Sequence, residues 1–92
     1  MALGLYFDCG FAPDVYDESR SQLAQAGAGY GEIPGLLFHC AMEAGECIRV
    51  FDVWESMEHF QKFAETLLPI LSKLGAAPGE PQVGTVLNMR NG

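Results

Sequence analysis

The stretch Cys47 to Ser56, CIRVFDVWES, constrains this chain more than any other. It reads as a strand that is apolar on both sides, with Asp52 and Trp54 on one of them, and it runs directly into a helix start at Ser56. A strand buried on both faces needs two covers, and a chain of 92 residues can supply only one layer of helices. The expected second cover is another copy of the same chain.

The segments around this strand follow in a simple order. Ala2 to Cys9 is apolar almost throughout, and Tyr6 and Phe7 add strand propensity, which predicts a first, central strand. Pro13 is well placed in the first turn of a helix, with Asp14, Asp17 and Glu18 near the end that favours negative charge and Val15, Tyr16, Leu23 and Ala26 facing inward. Gly27, Gly29 and Gly31 stop that helix. Their loop follows a helix and precedes a strand, the reverse of the order a phosphate cradle requires. Ile33 to Met42 is the second strand, and Glu43 to Glu46 is a hairpin turn into the third.

Ser56 is a good N-cap, and Phe60, Phe63, Ala64, Leu67, Leu68, Leu71 and Leu74 recur at helical spacing. Pro69 predicts a break, with one helix from Met57 to about Leu67 and a second short one near Pro69. Gln82 to Arg90 is the fourth strand, with a polar finish at Asn88, Arg90 and Asn91. The order is strand, helix, strand, strand, helix, strand. It predicts a single α+β domain over residues 1–92, ferredoxin-like βαββαβ, with a four-stranded antiparallel sheet, two helices on one face and the other face bare.

Composition removes several classes of function. Five basic against twelve acidic residues give a net charge of −7, which disfavours phosphate backbones and anionic membranes, so neither nucleic acid nor a membrane is expected as a partner. Cys9, Cys40 and Cys47 have no metal-type spacing and read as buried free thiols of a reducing compartment, predicting a soluble cytoplasmic protein. There is no P-loop, no GxGxxG and no nucleophile elbow around Ser19, Ser21, Ser56 or Ser72, so no metal or cofactor is expected.

Strand parity separates the hairpin into faces. Pairing through the turn at Glu43 to Glu46 puts His39 near Val50 and Leu37 near Asp52, so that His39, Asp52 and Trp54 share one face and His39 and Asp52 are diagonal neighbours. Phe38, Cys40, Met42, Arg49, Phe51 and Val53 take the other. An imidazole oriented by a carboxylate in an apolar pocket is a reasonable general base for an acidic phenol or enol. The plainer alternative is two partly buried polar groups satisfying each other. Trp54 could stack on a planar ligand, but it reads first as core or interface packing, and its indole, if buried, would need an acceptor. Phe60 and Phe63 read as helix-to-sheet core first and pocket wall second. Arg49 is awkward on a buried face and could pair with Asp8, while Tyr6, Tyr16 and Tyr30 form no recognisable set and His59 reads as solvated.

At Val53, Trp54, Glu55 and Ser56, at Phe60 and Phe63, and in the hairpin from Pro34 to Val53, the chain resembles the antibiotic biosynthesis monooxygenase family and its dimeric α+β barrel relatives. That resemblance implies a homodimer whose bare sheet faces close into a barrel. It also implies a small apolar or aromatic ligand. For a cofactor-independent monooxygenase acting on an aromatic or polyketide-like substrate, it implies His39 as base, Asp52 as its orienting partner, and Trp54, Phe60, Phe63 and Tyr6 as substrate contacts. The haem-degrading branch has a Trp where this chain has Phe63, a His where it has Lys73, and an Asn on a first strand that here has none. An isomerase or cyclase would use the same residues, and a non-catalytic binding or structural dimer is the competing class.

Overall fold

The computed structural model describes residues 2–29 and 31–90, so Tyr30 and Asn91 lie outside the described residues. The elements are β1 (Leu3–Asp8), α1 (Pro13–Gln25), β2 (Leu36–Ala44), β3 (Cys47–Trp54), α2 (Met57–Lys73) and β4 (Gln82–Thr85). The sheet order is β2-β3-β1-β4, with every neighbouring pair antiparallel. Each helix connects two strands that lie either side of a third, which is the expected split βαββαβ arrangement.

The two-sided strand is central. β3 pairs with β1 from Leu3↔Trp54 to Asp8↔Arg49 and with β2 from Leu36↔Trp54 to Ala44↔Cys47. Leu5, Phe7, Cys9, Ile48, Val50 and Trp54 form the core on its helix side, with Tyr16, Ile33, Leu36, Phe60 and Phe63 packed against them. On the other side Tyr6, Phe38, Met42 and Phe51 remain exposed, which is the bare face that the pattern anticipates. The Phe51 ring lies across Gly4, where a Cβ would come within 3.2 Å of it.

Four local expectations are corrected. The hairpin turn is only Gly45 and Glu46, with Gly45 at φ +70 supplying the left-handed backbone that a two-residue loop needs. This shortens the turn and moves the register by two, so that His39 faces Asp52 directly. α2 does not break at Pro69: the residue is exposed, as is Glu65 one turn earlier, so the carbonyl that proline leaves unbonded can reach water. Leu71, 2% exposed, anchors the final turn. β4 ends at Thr85 rather than Arg90, although Val86 N–H still donates to the Ala2 carbonyl. Finally, Cys40 is exposed on the bare face, while Cys9 is buried and Cys47 half-buried, all three being free thiols.

Ser56 caps α2 by accepting from His59 N–H at 3.2 Å. His59 is not simply solvated: its Nδ1 lies 2.7 Å from Ser56 Oγ, and its ring packs over Gly35, which sits at φ +81 with no room for a side chain.

Candidate functional site

Asp52 is the buried polar centre of the helix-facing side, 5% exposed, bonded by side chains from β2 and from its own strand. Its Oδ1 is 2.6 Å from Nδ1 of His39, directly across the β2–β3 pair, and its Oδ2 accepts from Trp54 Nε1 at 3.2 Å. An indole nitrogen can only donate, so Trp54 fixes Asp52 as an acceptor. Trp54 is fully buried, and its rings are held by Phe60 at 5.6 Å and Phe63 at 5.3 Å between centroids. The carboxylate cannot turn without disturbing the core.

The outer end of this chain of bonds comes from α1. The Tyr16 hydroxyl is 2.7 Å from His39 Nε2, and the two rings lie nearly parallel, 13° apart. One turn along α1, the Arg20 guanidinium stands 5.7 Å from the centre of the Tyr16 ring. Ser19 is buried and returns its hydroxyl to the Tyr16 carbonyl at 2.7 Å, which seats this turn of the helix on the sheet. Burial raises the Tyr16 phenol above its ordinary range, with Arg20 opposing and Asp52, Asp17 and Cys40 adding to the rise, so the group stays neutral. The result is a four-residue line, Trp54, Asp52, His39, Tyr16, running from a fully buried indole to a half-exposed phenol. The His39 side chain is 32% exposed.

The structure brings His39, Asp52 and Trp54 together on the helix-facing side. Trp54 packs against both Phe60 and Phe63, and Phe60 against Phe7 at 5.8 Å; Phe63 also borders open space. Tyr6 stands apart. It lies on the bare face with Phe51, lining an open groove of about 590 Å³ that continues along β4 to Asn88. A second cleft, about 200 Å³, opens between the end of α1 and α2, lined by Ile33, Pro34, His59, Lys62 and Phe63 among others. None of Tyr16, His39, Asp52 and Trp54 lines it, so this cleft and the His39 site are separate places. Arg49 finds Asp8 at 3.0 Å, across the β1–β3 pair at the water-exposed end of the bare face. Among the described residues no group of three His, Cys, Asp or Glu could hold a metal ion, and no helix is long and apolar enough to cross a membrane.

Tyr16 is the site residue that sequence reasoning missed. Its partner is 23 positions away, and helix phase alone does not say which strand residue a helical tyrosine meets.

No protein-family model matches the chain, and no curated protein matches it in sequence. Solved structures do match. SnoaB, a cofactor-independent oxygenase from Streptomyces nogalater, superposes with a TM-score of 0.60 at 18% identity, over 96% of this chain and 93% of that one. A protein from Chloroflexus aurantiacus J-10-fl, provisionally named an antibiotic biosynthesis monooxygenase, gives 0.60 at 14% identity, over 98% and 95%. The chain has the fold of these proteins, so the resemblance read at Val53 to Ser56 holds at the level of structure.

Proposed function

We propose that this chain is a homodimeric α+β barrel protein that binds a small aromatic or polyketide-like molecule and removes a proton from its acidic phenol or enol, with His39 as base. The bond between His39 Nδ1 and the buried Asp52 carboxylate, at 2.6 Å, carries this reading. It leaves Nε2 as the basic nitrogen and stabilises the imidazolium that proton uptake creates. The resulting anion is electron-rich and can reduce oxygen without a cofactor. A ring CH or CH₂ carbon becomes a carbonyl, one oxygen atom entering the product and the other leaving as water, with the substrate supplying all four electrons.

Trp54 serves this chemistry by holding Asp52, and Phe60 and Phe63 serve it by holding Trp54. The bare face, with Phe38, Met42 and Phe51, is the surface for the second copy, and it would enclose Tyr6 in the barrel interior. SnoaB, whose fold the chain shares, is a cofactor-independent oxygenase and supports the choice of reaction.

The test is aerobic incubation with a panel of polycyclic phenols, following oxygen consumption, in the wild type and in His39→Ala. Loss of turnover with an unchanged dimer mass is the expected result; an unchanged rate would remove His39 from the mechanism. One observation favours a second reading. The packing of Trp54 against Phe60 and Phe63 is the closed core of a non-catalytic dimer module, for which no phenol on the panel would be consumed or bound.

A further inference from the structure

In this geometry both nitrogens of His39 are already engaged, Nδ1 with Asp52 and Nε2 with the Tyr16 hydroxyl. A neutral imidazole carries one N–H, and Asp52 takes it, so Nε2 is an acceptor and the phenol O–H donates to it. No lone pair of His39 remains for a ligand. The free acceptor sites at the outer end of the line belong to Tyr16 Oη. Resting on the deprotonation proposed above, we infer that Tyr16 Oη is the atom the substrate meets, that the substrate presents a hydroxyl donor to it, and that the proton reaches His39 through Tyr16.

The two protonation states of the line fit this role. With His39 neutral, Tyr16 donates inward and its oxygen accepts from the substrate O–H. With His39 protonated, Nε2–H donates outward and the Tyr16 O–H turns to donate to the substrate oxyanion. One step connects them. The substrate O–H bond breaks as its proton joins Tyr16 Oη, while the original Tyr16 proton moves to His39 Nε2, leaving a substrate anion, a neutral tyrosine and an imidazolium beside Asp52. No free phenolate forms, in keeping with the burial that raises the Tyr16 phenol. The charged groups acting on this phenol are Arg20 and Asp17 from α1 and Asp52 from the sheet. Arg20 is the cation placed to favour an anion there.

The probe is 1-naphthol, which can be oxygenated to 1,4-naphthoquinone and water by one O₂. Tyr16→Phe should lower kcat about 10²-fold with little change in KM. In mixed H₂O and D₂O the wild-type rate should curve with deuterium content, as two moving protons require, and the residual rate of the variant should be linear. Replacing Tyr16 with 3-fluorotyrosine should restore the rate to within a few-fold. If Tyr16→Phe does not fold, a series of fluorinated tyrosines at this position decides instead: rate should vary with phenol acidity, and invariance overturns the inference. Loss of turnover in His39→Asn with full turnover in Tyr16→Phe overturns the role of Tyr16 and leaves the His39 reading standing. Full turnover in both overturns both, and wild-type protein that neither binds nor oxidises 1-naphthol at saturation overturns the phenol substrate class itself.

Discussion

Asp52 accepts from a group that can only donate and from a group that can exist as two tautomers, and this asymmetry makes Asp52→Asn informative. An asparagine must turn its oxygen toward Trp54 and its amide toward His39, which forces Nδ1 to become the acceptor and moves the imidazole proton to Nε2. The hydrogen bonds survive, so the stability cost should be only about 1 kcal/mol. The base is lost, so turnover should fall as far as in a His39 variant. Nitrogen-15 NMR of His39 would show the exchanged tautomer, and an unchanged tautomer would contradict the assigned bonding.

Cys9 gives a second residue-scale expectation. Burial, aided by Asp8 and Asp52 and opposed by Arg49, pushes its thiol from 9.0 up to about 11. A raised folded-state value means that the folded chain holds its proton where the unfolded chain has lost it. This stabilisation is complete below pH 9 and disappears as pH rises to about 11, a loss on the order of 2 kcal/mol. Denaturant titrations of wild type and Cys9→Ala across that window should diverge in slope.

At the scale of elements, α2 carries a proline at a cost, and Pro69→Ala should return the hydrogen bond to the Glu65 carbonyl and raise stability by about 1–2 kcal/mol in urea unfolding. Gly35→Ala should do the reverse by more than about 2 kcal/mol, because it combines a left-handed backbone with a side chain directed into the His59 ring. These positions also show what the sequence discloses about its elements. The alternation in β3 assigned Asp52 and Trp54 to one face and Arg49, Phe51 and Val53 to the other, because a period of two leaves no choice once the strand is recognised. The register within that face depended on whether the turn held two residues or four, and a lone glycine after Ala44 fits either. Pro69 was misleading for a different reason: its penalty is local, whereas the buried Leu71 that outweighs it belongs to tertiary packing. Tyr16 was illegible because the phase of α1 against β2 is set by contacts across the whole domain.

For the whole molecule, the bare face is the feature that a single copy does not satisfy. Phe38, Met42 and Phe51 are each more than 40% exposed, and Cys40 is exposed beside them. Sedimentation should show a dimer for the wild type and a monomer for Phe51→Asp, with a lower midpoint in denaturant for the variant because dimerisation and folding are linked. A wild-type monomer at all concentrations would leave the two-sided apolarity of β3 without its second cover.

Trp54 is the only tryptophan in the chain, and its indole shares a carboxylate with His39. The protein therefore contains its own optical probe at the place of interest. Changes in indole emission on ligand addition or on unfolding arise from one chromophore, one hydrogen bond from Asp52, and no label need be attached to follow the site.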